Sequence, residues 1–310
     1  MMSDEPPRGI AVVDAGATNT KIALFSPQGQ PLAERKAPSR QREGPPYRHI
    51  DPMAVADFCS EALPELDRIS PIDVIVPCAH GAALALLAHD GALALPIMHY
   101  TSEPPRHIVE EYRRIEPPFS EVFCSLLPMA LTHGLQLYWQ ERGLAADFSR
   151  TATILTWIQY VGYLLGSRPV SEISSLSCQS QIMAVLDNRF SSLARMRGWD
   201  RLFPPMVKAW ETAGALEPRF RGESFRGEGK LLAGVHDSNA NYLRYLAAGL
   251  TSFTLLSSGT WIIGFNNSTS LASLPKEQDT ASNTDVFGRP VASCRFYGGR
   301  ELEVLSQGAP

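Results

Sequence analysis

The chain has 310 residues, 44% of them hydrophobic, and a formal net charge of −4, so it can bury a sizeable core and is long enough for two domains. This charge offers no basic surface to a nucleic acid or an anionic membrane, and no apolar run reaches bilayer length. The amino terminus has no signal-peptide pattern. We therefore predict a cytoplasmic protein with a small-molecule partner and with neither nucleic acid nor membrane among its partners. Five scattered cysteines predict neither a disulfide framework nor a zinc site.

The first third of the chain alternates strand and helix signals. Two apolar segments around a turn predict a β-hairpin at residues 10–13 and 22–25, and Asp51 is placed to cap a helix over residues 52–66. Residues 72–76 predict a buried strand. Two further strands are predicted at residues 81–87 and 93–98.

The middle of the chain is predicted to be mainly helical. Apolar residues recur every three or four positions over residues 126–139 and 152–165, which predicts two long helices, the second ended by Gly166. A polar, glycine-containing stretch then precedes a fresh strand at residues 231–235. The pattern predicts an α/β protein with domains at residues 1–230 and 231–310.

The turn after the first strand carries candidate phosphate ligands. Asp14 ends the strand and is placed to hold Mg²⁺ directly or through water, while Thr18, Asn19 and Thr20 can meet phosphate oxygens and Lys21 adds a positive charge. An ordinary hairpin turn would explain the same residues, because Asp and Asn often satisfy local backbone N–H groups. The short pattern alone leaves both interpretations open.

A second turn of similar character follows the apolar residues 255–256. Ser258, Gly259 and Thr260 offer hydroxyl and backbone donors to an anion, and Trp261 follows them. Common turn chemistry and a core tryptophan would also account for this segment. Two phosphate-binding turns in one chain together favour phosphoryl transfer.

Asp237 is the candidate general base. It follows Gly234 at the end of a predicted strand, and a carboxylate that accepts the proton of a hydroxyl nucleophile is a standard requirement of phosphoryl transfer. Asp237 could instead cap the helix predicted from Ser238 to Leu250, and both roles could hold together. The neighbouring His236 is expected to play a supporting, hydrogen-bonding role.

The two turns and the segment Gly234-Val235-His236-Asp237 together resemble the FGGY family of carbohydrate kinases, nearest to its rhamnulokinase and fuculokinase branch. The resemblance implies a ribonuclease-H-like fold, with two domains around a cleft. It also implies ATP and Mg²⁺ as cofactors. His80 and Gly81 occupy the place where the family's first domain reaches the sugar, and Asn239, one helical step from Asp237, is expected to face the same cleft.

Family members continue well beyond the second turn, so the resemblance implies a second domain without its carboxyl-terminal part. We therefore expect the chain to form a homodimer or to bind ATP poorly. The leading interpretation is transfer of the ATP γ-phosphoryl group to a hydroxyl of a ketose or deoxyketose. A silent sugar-binding relic of such a kinase and an ATPase of the same superfamily with no sugar substrate remain alternatives.

Overall fold

The computed structural model describes residues 8–258, 261–276 and 278–306. Its strands, in chain order, are β1 (Ile10–Ala15), β2 (Asn19–Phe25), β3 (Pro31–Pro38), β4 (Gln41–Arg42), β5 (His49–Ile50), β6 (Val74–Ala79), β7 (Leu84–Leu87), β8 (Thr153–Thr156), β9 (Ser171–Glu172), β10 (Met183–Ala184), β11 (Arg189–Phe190), β12 (Met206–Val207), β13 (Thr212–Ala215), β14 (Lys230–Leu232), β15 (Val235–His236), β16 (Thr254–Ser258), β17 (Ile262–Asn266), β18 (Thr280–Thr284) and β19 (Pro290–Phe296).

The α-helices are α1 (Pro52–Asp67), α2 (Arg106–Arg113), α3 (Phe119–Val122), α4 (His133–Gly143), α5 (Ala145–Phe148), α6 (Trp157–Leu165), α7 (Ile173–Ser177), α8 (Ser192–Arg197), α9 (Asp237–Ala247) and α10 (Gly298–Leu305). Short 3₁₀ turns lie at Trp199–Leu202, Pro218–Phe220 and Leu271–Ser273. The predicted α/β class is confirmed.

A seven-stranded mixed sheet organises the amino-terminal part of the chain. Its order is β13-β14-β6-β1-β2-β3, with β15 pairing β6 beyond β14. The predicted hairpin is β1 and β2, which pair antiparallel, while β1 runs parallel to β6. Alternate side chains of the hairpin, including Val13 and Ile22, are fully buried, because successive residues of a strand point to opposite faces.

Helix α1 covers this sheet and begins as predicted. Asp51 Oδ1 accepts a hydrogen bond from Met53 N at 3.2 Å, and Pro52 occupies the first helical position, where no backbone donor is needed. Leu63 and Leu66 are fully buried on its inner face. Helix α6 also packs against the sheet, and Gly166 with φ of +124° ends it as predicted.

Several predicted elements are wrong in extent or type. The strand predicted at residues 81–87 begins only at Leu84. Residues 93–98 form isolated bridges to Leu87 and His49 and are not a strand. Of residues 126–139 only those from His133 onward are helical, since Pro128 interrupts the earlier part. Residues 153–156 form β8 and not helix, because the β-branched Thr153, Ile154 and Thr156 pair with β7.

A second, four-stranded antiparallel sheet has the order β16-β17-β19-β18. Its edge strand β18 contacts the amino-terminal part directly: Ser282 N donates to Phe123 O at 2.7 Å, and Ala281 forms a bridge with Cys124. Helix α9 packs on this sheet through Tyr242, which contacts Phe265.

The strand predicted at residues 231–235 is interrupted. Gly234 has φ of +88°, which breaks the segment into β14 and β15, and both pair with β6. The amino-terminal sheet thus continues to His236, beyond residue 230, and the division into domains at that residue stays a prediction. Over the described ranges, no helix has the length and apolar character required to cross a bilayer.

Candidate active site

A cleft of about 450 Å³ lies between the ends of β1, β6 and β15 on one side and β16 and β17 on the other. Strands β1 and β15 both run parallel to β6, where Asp14 and Val235 each pair with Cys78. The segments that follow β1 and β15 therefore leave the sheet at the same edge. The predicted site residues that line the cleft are Asp14, Thr18, Asn19, Lys21, His80, Gly81, His236, Asp237 and Ser258.

Asp14 is poised close to a second carboxylate. Its Oδ1 is buried and has no hydrogen-bond partner within the described part of the chain. Burial, and secondly the charge of Asp237, raise the pKa of Asp14 to about 6, while Lys21 opposes this shift. A buried carboxylate whose pKa is raised by a second carboxylate nearby forms a site suited to a cation.

Asp14, Lys21 and Lys36 form a row across three strands. Lys21 pairs with Asp14 between β1 and β2, and Lys36 pairs with Lys21 between β2 and β3. Residues in register on adjacent strands share one face, and all three side chains line the cleft. The row places Lys21 beside Asp14 and Lys36 one strand farther out, so that both cations can meet phosphate oxygens in the cleft.

The tip of the hairpin is held in place by the strand that follows it. Gly16 N donates to Asn19 O at 3.0 Å, and Ser39 Oγ donates to Gly16 O at 2.7 Å. Thr18 and Asn19 reach the cleft. Thr20 is 3% exposed and lies behind the tip, with its hydroxyl 3.4 Å from Ser39 Oγ. Its predicted contact with phosphate therefore has no support from its position.

Asp237 is the first residue of α9, and its carboxylate is half-exposed in the cleft. Oδ1 accepts from Ser238 Oγ at 3.0 Å and lies 3.2 Å from His236 Nε2. Helix α9 has no side-chain cap, with His236 at the capping position. The carboxylate therefore lies at the positive end of the helix and remains accessible to a ligand.

His236 belongs to a chain of polar side chains that ends at Asp237. Asn239 Nδ2 donates to His236 Nδ1 at 3.1 Å and to Asn283 Oδ1 at 3.0 Å. Because Nδ1 accepts, the neutral ring carries its proton on Nε2, which faces Asp237. Burial lowers the pKa of His236 and keeps the ring neutral. Asn239, predicted to face the cleft, instead lies behind His236 and supports it.

His80 and Gly81 follow β6, beside the end of β1 that carries Asp14. Burial, and then the neighbouring His99, His236 and His133, lower the pKa of His80 to about 3, so the ring is neutral. A neutral imidazole can donate to or accept from a sugar hydroxyl. Gly81 lies so close to its neighbours that a Cβ would overlap Cys178 Sγ.

The second predicted turn is only partly described. Ser257 and Ser258, at the end of β16, line the cleft, and Asn241 Nδ2 donates to Ser257 Oγ at 3.1 Å. Gly259 and Thr260 lie outside the described residues. Trp261 also lines the cleft and stacks on Tyr297 at a ring-centre distance of 4.3 Å.

Sequence reasoning missed Lys36 and Gln179, which also line the cleft. A third strand after the predicted hairpin would have placed Lys36 opposite Lys21. No sequence signal indicated Gln179, because its position depends on packing between distant segments.

The residues present fit a magnesium ion. Mg²⁺ in phosphoryl-transfer sites is held by one or two carboxylates together with water and substrate phosphates. The unpartnered Oδ1 of Asp14 supplies such a ligand. Among the residues the structure describes, no group of three or more His, Cys, Asp or Glu side chains could hold a metal by itself.

Comparison with known proteins agrees with this architecture. The model of the carbohydrate kinase FGGY C-terminal domain matches residues 250–310, and no curated protein matches. A carbohydrate kinase from Novosphingobium aromaticivorans is similar at 36% identity and a TM-score of 0.86, over 96% of this chain and 66% of its own.

Two more distant structures share the fold. Xylulose kinase from Rhodospirillum rubrum has 18% identity and a TM-score of 0.76, over 97% of this chain and 64% of its own. Plasmodium falciparum glycerol kinase has 10% identity and a TM-score of 0.78, over 97% of this chain and 63% of its own. The chain thus spans less than two-thirds of the length of each of these proteins.

The chain has the ribonuclease-H-like fold of the sugar kinases, as the sequence predicted. Within that class, the chain belongs to the FGGY family of carbohydrate kinases. The comparisons do not separate the branches of this family, so the likeness to rhamnulokinase and fuculokinase stays a prediction.

Proposed function

We propose that the chain carries the acceptor site of an ATP-dependent carbohydrate kinase, which transfers the γ-phosphoryl group of ATP to a hydroxyl of a sugar. The supporting observation is that the carboxylates of Asp14 and Asp237 lie close enough in one cleft to interact electrostatically. They lie at the ends of β1 and β15, which both run parallel to β6. One carboxylate can serve a cation while the other receives a proton.

Asp237 is the proposed general base. Its carboxylate is accessible in the cleft, and one of its oxygens, Oδ1, lies 3.2 Å from His236 Nε2. The other oxygen can accept the proton of the attacking hydroxyl, a contribution of about 10²- to 10⁴-fold in rate. Neutral His80, at the neighbouring end of β6, can orient the acceptor by a hydrogen bond.

Lys21 and Lys36 would meet the phosphate oxygens from the hairpin side, and Ser258 would meet them from the opposite wall. Asp14 would hold Mg²⁺, which when bound neutralises charge on the phosphates. The resemblance to the rhamnulokinase and fuculokinase branch favours a ketose or deoxyketose as the acceptor.

The test is formation of a sugar phosphate from ATP and Mg²⁺ across a panel of ketoses, aldoses and polyols. Asp237→Asn should abolish the product, whereas Asp147→Asn, an exposed carboxylate on α5, should leave it unchanged. ATP turnover without a sugar would instead favour an ATPase. Sugar binding without product in the parent chain would favour the silent relic.

The same purified protein can be used to test whether the chain forms a homodimer. Light scattering should give the mass of a homodimer if the predicted association occurs. A monomer that binds ATP tightly would contradict the expectation of a homodimer or of weak ATP binding.

A further inference from the structure

A small chamber of about 30 Å³ lies beside the cleft, between α9 and the four-stranded sheet. Gln179, His236, Ser238 and Ile263 line both spaces, so the two are neighbours that share one wall. The chamber has room for about two water molecules, or for the oxygen atoms of one small planar group.

Arg295 forms the inner wall of this chamber. The residue lies on β19 and is 6% exposed, and its Nη2 has no hydrogen-bond partner in the described ranges. Throughout those ranges no carboxylate lies within ion-pair distance of its guanidinium, although Asp279 acts on it from farther away. Burial of an unpaired cation destabilises a folded protein, so this arrangement needs another explanation.

The rest of the chamber favours an anion. Of the described residues that line the chamber, Arg295 is the only Asp, Glu, Lys or Arg, and burial lowers the pKa of His236 and raises the pKa of Cys178, which keeps both groups neutral. Gln179 has a buried Oε1 without a partner and an unusual φ of +55°. Rotation of its amide would present Nε2 to an anion as a second donor.

We propose that Arg295 binds a carboxylate of the acceptor, so that the substrate is a sugar acid. This inference rests on the proposed kinase function and narrows its substrate class. A carboxylate is planar and matches the fork of a guanidinium, whereas a phosphoryl group carries more oxygens than the chamber holds. With its carboxylate at Arg295, the acceptor passes His236 and presents a hydroxyl to Asp237. A keto group elsewhere in the acceptor is compatible with this assignment.

The test compares aldonates of five and six carbons with the alditols of the same configuration, which carry CH₂OH in place of the carboxylate. Binding is measured by the ligand-dependent shift of the thermal unfolding midpoint and by tryptophan fluorescence, since Trp261 lines the cleft. At least one aldonate should bind the parent chain more tightly than its alditol, on the order of 10- to 100-fold.

Arg295→Gln should remove that preference and leave alditol binding within about threefold of the parent. Arg244→Gln, an exposed arginine on α9, is the matched control and should keep the preference. Without ligand, Arg295→Gln should also raise the unfolding midpoint, because it removes an unpaired buried charge. This second readout shows that the variant is folded.

Equal binding of aldonate and alditol by the parent would overturn the inference, as would an unchanged preference in Arg295→Gln. Acetate that matches the effect of the best aldonate would show a site for free carboxylates and would also overturn the assignment to the acceptor. Phosphorylation of neutral sugars alone would leave the kinase proposal standing and refute this one. Aldonate binding that depends on Arg295, without phosphoryl transfer, would support the carboxylate site and refute the kinase proposal.

Discussion

Asn239 donates its side-chain N–H to His236 Nδ1 at 3.1 Å and thereby fixes the ring proton on Nε2, the nitrogen that faces Asp237. The same amide also donates to Asn283, on a strand of the second sheet. The orientation of the proposed base therefore depends on residues from both parts of the chain.

We expect Asn239→Leu to lower kcat by about tenfold with little change in the KM of the sugar, because the variant loses control of the tautomer but no acceptor contact. The pH profile of kcat should also change, since Nδ1 becomes free to take a proton. Steady-state kinetics between pH 5.5 and 9 check this. A uniform loss of folded protein, with the profile of the active fraction unchanged, would show a merely structural role.

Asp14 should make the stability of the ligand-free protein depend on pH. Its folded-state pKa of about 6 exceeds the ordinary value of 3.8, so the folded state binds the proton more tightly and loses stability as pH rises from about 4 to 6. Asp14→Asn removes this loss, so at pH 7 to 8 the variant should be more stable than the parent.

Denaturant unfolding of the parent and Asp14→Asn at several pH values measures this difference. Mg²⁺ should stabilise the parent at pH 8 and leave Asp14→Asn unaffected. An equal gain in both proteins would place the metal elsewhere.

Buried neutral histidines should make the protein sensitive to acid. Burial lowers the pKa of His80 to about 3 and those of His99 and His133 to about 4. Because these folded-state values lie below the ordinary 6.5, the unfolded state takes up protons first and stability falls as pH drops below about 6.5. Each histidine contributes up to about 1.4 kcal/mol per pH unit, so together they should outweigh the opposite effect of Asp14.

Urea unfolding between pH 4.5 and 7 tests this prediction. His80→Gln should reduce the slope of the unfolding free energy against pH by about one proton. His107→Gln, an exposed residue on α2, is the control. A flat profile in the parent protein would contradict the neutral state assigned to the three rings.

Gly81→Ala should destabilise the protein by about 1–3 kcal/mol, because the new methyl group would overlap Cys178 Sγ and crowd His236. Adding Cys178→Ala should recover much of the loss, whereas Cys59→Ala, a buried cysteine of α1, should not. The unfolding midpoints of the single and double variants measure these losses of stability. If the losses from Gly81→Ala and Cys178→Ala simply add, the overlap with Cys178 is not the cause.

Local sequence signals predicted the elements that depend on neighbours in the chain. The hairpin around Asp14 and the helix capped by Asp51 follow from alternation and capping alone. The strand at residues 153–156 was not predicted, because it forms only against β7, about 70 residues earlier in the chain. Long-range pairing decided the structure there.

Some residues of the candidate site could likewise be predicted from the sequence, and others could not. Asp14 and Asp237 were found because each lies in a recognisable segment at a strand end, His80 was found through the family resemblance, and the cleft brings the three together. The direction of Asn239 and the burial of Arg295 depend on how α9 meets the second sheet. Neither spacing nor composition carries that information.

The contact between Ser282 and the Phe123 backbone lies at one edge of the four-stranded sheet, whereas Ser257 and Ser258 lie on the opposite edge strand, β16. Three strand spacings of about 4.8 Å separate these edges, so a rotation of about 10° around the anchored edge moves β16 by about 2.5 Å. In such a rotation Asn283, on β18, would stay near the anchored edge, whereas Ser257 and Ser258 would move by that distance.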